Sequence, residues 1–133
     1  MIISGKVKDL FEKEPLITFG TADKQGNPNV VPVFWKKIVG DETIILVDNY
    51  MKMSKENLLE NSNVCISFWN SETGEAYKIK GEAAYYTKGE IYEEGKKFIQ
   101  TKKPETIPKG VVEIKLKEIY TIKPGVDAGK KLD

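Results

Sequence analysis

The chain has 133 residues, enough for one domain with a substantial buried core. Its 21 Lys+Arg against 20 Asp+Glu leave a net charge of +1, so no one-signed field points to nucleic acid or an anionic membrane. The absence of histidine and a single cysteine, Cys65, remove Ser-His and Cys-His catalysis, the commonest metal ligand and any intrachain disulfide. No run approaches the roughly 20 apolar residues of a membrane span, and the N-terminus lacks the apolar core of a signal peptide. The expected location is therefore cytoplasmic.

In chain order, ISGKVKDLFEKEP sets Ile3, Val7, Leu10 and Phe11 at helical spacing, and Pro15 limits how far that helix runs. LITFGTAD reads as a strand, closed by the turn signal Lys24 to Pro28. Asn29 to Val39 resumes extended character with Pro32 inside it. A proline cannot donate to a ladder, so this strand is expected to be an edge, bulged or interrupted. After Gly40-Asp41, TIILVD is a short unbroken apolar strand of the kind buried on both faces. A short helix follows over about Lys52 to Asn61, with Met51, Leu58 and Leu59 on one face.

NVCISFWN returns to strand, and its Cys65 reads as a buried, inert thiol. Glu72-Thr73-Gly74 turns the chain into EAYKIKGEAAYY. There Tyr77, Ile79, Gly81, Ala83 and Tyr85 alternate with Lys78, Lys80 and Glu82, as in an antiparallel sheet with one wet face. Ile91, Phe98 and Ile99 mark a third helix with Gly95 as a weak point. GVVEIKLKEIYTI forms the last strand, and the tail PGVDAGKKLD is polar and turn-like. The order predicts a mainly β fold with helical insertions, a six-stranded antiparallel barrel formed as one domain over residues 1–133.

The stretch DNYMKMSKENLL, from Asp48 to Leu59, admits two readings. Ser54 suits the N-cap of a solvated helix, where its hydroxyl would accept from an orphan N–H. Lys52 and Lys55, however, oppose the helix dipole at a cost of a few tenths to about 1 kcal/mol each. Backbone N–H groups, a hydroxyl and two ammonium groups together would suit a phosphate dianion. Asp48 and Asn49 offer oxygen ligands but lack the further ligands a metal needs. The pairs Phe34-Trp35 and Phe68-Trp69 read as core or interface residues.

Four stretches, LITFGTADKQGNPNVVPVFW, TIILVDNYMKMSKENLLENSNVCISFW, AYKIKGEAAYYTKG and VVEIKLKEIYTIKPGVDAGK, carry a resemblance covering most of the chain. It resembles the FMN-binding split β-barrel proteins of the pyridoxamine 5′-phosphate oxidase-like superfamily, in particular their small stand-alone members. The resemblance implies that Val31, Pro32 and Val33 lie along the isoalloxazine ring and that Asp48, Asn49 and Tyr50 pass its polar edge. It implies that Lys52, Met53, Ser54 and Lys55 surround the FMN phosphate, with Asn57 matching an asparagine recurrent in that helix. Met53 stands where members carry a basic residue, so Lys52 or Lys55 takes that part. The arginine cluster of the true oxidases has no counterpart, the basic positions near the loop being lysines.

The resemblance further implies a homodimer with FMN in grooves shared between subunits, where Trp35 or Trp69 would meet the partner. The expected function is electron transfer or a flavin-linked reductase activity, with no nucleic-acid or membrane partner. The alternatives are a barrel that binds the deazaflavin F420 and a cofactor-free interaction or single-strand-binding module. Without histidine, a haem-binding barrel would lack its usual axial ligand.

Overall fold

The computed structural model describes Ile3 and residues 5–132. Helix α1 (Gly5–Lys13) precedes strands β1 (Ile17–Ala22), β2 (Pro28–Val33), β3 (Lys36–Val39) and β4 (Thr43–Asp48). Helix α2 (Met53–Glu60) leads to β5 (Asn63–Trp69) and β6 (Ala76–Tyr86), then α3 (Glu90–Gln100), β7 (Gly110–Thr121) and the short β8 (Lys131–Leu132). The antiparallel sheet runs β2-β1-β5-β6-β7-β4-β3, with β8 paired to β7 off that path.

The sheet order explains the shape. Strands β2 and β3 lie at opposite ends of the seven-strand path, yet only Phe34 and Trp35 separate them in the chain. The sheet must curl until its ends nearly meet, which makes a half-barrel. The Trp35 carbonyl accepts from the Val47 N–H at 2.9 Å and ties the link between β2 and β3 to β4.

Among the described residues, eight strands replace the expected six. The predicted strand Asn29–Val39 is two strands, broken at Phe34-Trp35 rather than at Pro32. Pro32 sits in β2, an edge strand, where its missing donor costs no ladder bond. The eighth strand lies in the tail read as turn, where Lys131 and Leu132 pair with Tyr120 and Ile119.

Inside the curl, Phe19, Ile66, Ile79 and Ile119 form one continuous row across β1, β5, β6 and β7. Val7, Leu10 and Phe11 of α1 complete this core, with Ile3 buried just ahead of the helix. Strand β4 is buried on both faces, as its unbroken apolar run predicts. Ile44 and Leu46 join the main core, whereas Ile45 packs with Tyr92 and Val111 beneath α3. The alternation in β6 also holds: Tyr77, Ile79, Gly81 and Ala83 are buried and Lys80 and Glu82 exposed. Gly81 marks a register shift against β7, where an added Cβ would come within 2.5 Å of the Lys115 carbonyl oxygen.

Candidate functional site

The curl leaves a cleft of about 610 Å³ where the sheet's two ends approach each other. Its size falls in the range of small-molecule sites. One wall is the end of β2 and the following link, Val31 to Trp35. The opposite wall is Val47 and the segment Asn49-Tyr50-Met51 after β4. Lys103, Thr106 and Ile107, from the loop between α3 and β7, close the third side.

Five of the residues expected around a cofactor thus meet in one place: Val31, Pro32, Val33, Asn49 and Tyr50. Pro32 is exposed on the cleft and Tyr50 almost fully so. The walls lie about 16 residues apart in sequence, and the sheet's closure is what unites them.

The remaining expected residues do not line this cleft. The Asp48 side chain is wholly buried. One carboxylate oxygen accepts the Met51 N–H at 2.7 Å and the other accepts the Tyr85 hydroxyl. Ser54 is 1% exposed, and its hydroxyl accepts from the Asn29 amide at 3.3 Å. Asn57 is buried and donates to the Thr21 hydroxyl at 3.0 Å, fastening α2 to β1. Lys52 and Met53 are exposed at the start of α2. The Lys55 ammonium sits 5.2 Å from the centre of the Tyr85 ring.

Ser54 is not the N-cap. That place belongs to Lys52, and no side chain caps the helix. The buried face of α2 is Ser54, Asn57 and Leu58, while Leu59, expected to be inward, is 72% exposed. The Ser54 hydroxyl and the Asn57 amide therefore tie α2 to β2 and β1, with Lys52 exposed and Lys55 half-buried against Tyr85. A helix start without a side-chain cap keeps first-turn N–H groups open to an anion.

Sequence reasoning did not single out Val47, Met51, Lys103, Thr106 or Ile107 as site residues. The two prolines of KPETIP signal a loop after α3, but nothing local tells where that loop folds. The Tyr92 hydroxyl donates to the Pro108 carbonyl at 2.8 Å and holds the loop end near the cleft. Trp35 is half-buried, edge-on to both Phe34 and Phe98, with the Lys103 ammonium 5.8 Å from its ring centre. Phe34 and Trp69 are each about half exposed, whereas Phe68 is fully core.

Cys65 is half-buried rather than buried, and burial pushes its thiol above the usual range, away from the reactive thiolate. Among the described residues, no group of three or more His, Cys, Asp or Glu side chains is placed to hold a metal. No helix among them is long and apolar enough to cross a membrane.

An antiparallel sheet curled into a half-barrel, with a cleft at its seam, defines a split-barrel protein. The chain belongs to the pyridoxamine 5′-phosphate oxidase family, whose profile matches residues 3–123. An uncharacterised protein of Methanocaldococcus jannaschii is 37% identical over 117 residues, which is 86% of this chain and 78% of that one. Among solved structures, HupZ of Group A Streptococcus is 30% identical with a TM-score of 0.84, over 96% of this chain and 100% of that one. An FMN-binding protein from Syntrophomonas wolfei shares the fold at 19% identity and a TM-score of 0.72, over 85% and 80% of the two chains. An F420 reductase and HutZ, the haem storage protein of Vibrio cholerae, share it at 15% and 14% identity with TM-scores of 0.68 and 0.70. The F420 reductase match covers 88% and 98% of the two chains and the HutZ match 91% and 95%.

Proposed function

We propose that the protein is an FMN-binding flavoprotein that acts in electron transfer or as a flavin-linked reductase. In this reading residues 1–133 form one domain, and two copies make a cytoplasmic homodimer with FMN between them. The observation that carries it is the cleft itself, where Val31-Pro32-Val33 and Asn49-Tyr50 converge across the seam.

The residues present fit such a group. Strand β2 pairs on one side only, with β1. Its outer edge leaves backbone groups unpaired beside an apolar wall, with an acceptor but no donor at Pro32, a setting that suits a planar, polar-edged ring. Val31 and Val33 would flank that ring, with Pro32 between them, and the Asn49 amide would meet its polar edge. Lys52 and Lys55 would attract the phosphate at the start of α2, next to Met53. Ser54 would act from behind, by holding Asn29 in place. Phe34 and Trp35 would screen the ring from water. FMN, when bound, supplies reversible electron and hydride transfer, and so accounts for a redox protein without histidine or a reactive thiol.

Fold neighbours differ in ligand, so the lysines of this chain bear most on the choice. They would suit the longer anionic tail of F420 as well as a phosphate, which makes F420 the second reading. The absorption spectrum of the purified protein, followed by titration of the apoprotein with FMN and with F420, tests both. Flavin bands and tighter binding of FMN are expected. Preference for F420 moves the assignment to the second reading, and a protein that takes up neither overturns both.

A further inference from the structure

The most deeply buried carboxylate among the described residues lies next to the cleft wall and outside the cleft lining. Asp48 ends β4 between two cleft residues, Val47 and Asn49, yet its side chain is 0% exposed. Burying a carboxylate is costly unless each oxygen finds a donor. Here one oxygen closes the turn onto the Met51 N–H at 2.7 Å, and the other receives the Tyr85 hydroxyl from β6.

The surroundings are shaped for this pair. Gly110 faces Asp48 across the β4–β7 register, and a Cβ there would lie 2.3 Å from Tyr85 Cζ. Only a glycine lets the phenol ring lie over β7 and reach the carboxylate. Lys109 adds two bonds to the same segment: its N–H donates to the Asp48 carbonyl at 2.9 Å and its ammonium to the Met51 carbonyl at 3.1 Å. Met51 and Tyr85 both pack against the main core. Burial, followed by the neighbouring Asp48 carboxylate, pushes the Tyr85 phenol far above its usual range, so the hydroxyl remains a donor throughout physiological pH.

We propose that Asp48 and Tyr85 form a positioning pair that holds Asn49-Tyr50-Met51 in the shape of the cleft wall, with Gly110 as the clearance that permits it. Neither residue lines the cleft. Its effect on flavin rests on the reading of the cleft as a flavin site, but its effect on the wall does not. Because the wall faces the ring and not the phosphate, losing the pair should weaken FMN and riboflavin alike.

The test uses Tyr85→Phe, which keeps the ring and removes one hydroxyl, and Gly110→Ala, which displaces the ring. In the protein alone, amide exchange at Met51 should quicken about tenfold in Tyr85→Phe, the equivalent of one hydrogen bond, with Ile66 in the sheet centre unchanged. Unchanged exchange at Met51, or equal acceleration at Ile66, overturns the proposal. With flavin, Tyr85→Phe, which leaves the ring under the Lys55 ammonium, should lose a similar factor for FMN and riboflavin and shift the bound flavin's visible circular dichroism. Gly110→Ala, which also moves the ring beneath Lys55, should shift the same spectrum and lose at least as much for FMN. Lower thermal stability with the spectrum and both affinities intact would mean a merely structural pair, and also overturns it. If the wild type binds no flavin, the reading of the cleft fails, while the exchange experiment still decides the pair.

Discussion

The side chains of α2 divide by what they touch. Ser54 and Asn57 point inward and bond to Asn29 and Thr21, whereas Lys52 is exposed and meets solvent at the helix start. Two different losses follow. Ser54→Ala removes the acceptor of a half-buried amide, and stability should fall by about 1 kcal/mol, read by urea denaturation. Lys52→Gln removes only charge. FMN affinity should drop roughly two- to fivefold at low salt and less at high salt, with riboflavin unaffected. Equal losses for FMN and riboflavin in Lys52→Gln would show that this lysine does not serve the phosphate.

The same contrast between composition and contact governs the helices. Gly95 reads in sequence as a weak point of α3, since alanine is favoured over glycine there by about 1 kcal/mol. In place, it is buried against β7, and a Cβ would lie 2.4 Å from Val111 Cγ2 and 3.0 Å from Cγ1. Val111 is itself fully buried with Ile45 and Tyr92, so it has nowhere to retreat. Overpacking of this kind costs about 1–3 kcal/mol, which exceeds the propensity gain. Gly95→Ala should therefore destabilise the protein, and Gly95→Ala with Val111→Ala should be less damaging than the sum of the two. A thermal melt of the single and double variants checks this, and a stabilised Gly95→Ala would contradict it. The position of α3 matters beyond stability, because Tyr92 at its start anchors the loop that closes the third side of the cleft.

At the scale of the whole molecule, several large apolar side chains stand in water, Phe34 among them on the cleft wall. Phe34 is 54% exposed, Val30 63% and Trp69 49%. Such groups suit an interface between two copies. Light scattering should return a species of twice the 15.0 kDa chain mass. Charge introduced at Val30 (Val30→Glu) should shift it toward monomer and weaken flavin binding at the same time. A monomer that holds flavin at full affinity would separate the cofactor from the assembly.

Much of this architecture was legible in the order of residues. The period-two run of β6, the unbroken apolar run of β4 and the proline of β2 each report a local constraint, namely which faces are buried and which backbone group lacks a donor. Local constraints are written in neighbouring residues, so those runs were legible in the sequence, while only the family resemblance grouped Val31–Val33 with Asn49-Tyr50, which line one cleft. The break at Phe34-Trp35 and the two-residue β8 did not, because short strands exist only through the partner that hydrogen-bonds them. The inward turn of Ser54 and the burial of Asp48 beneath Tyr85 also depended on the folded chain. A serine ahead of a helix reads as a cap and an aspartate at the end of a strand as an available oxygen ligand. Only residues brought from 25 and 37 positions away make them interior anchors. Sequence by itself determined the elements and the chemistry available at the seam. Tertiary structure decided which groups face the cleft, since facing is set by the closure of a sheet whose ends are neighbours in the chain.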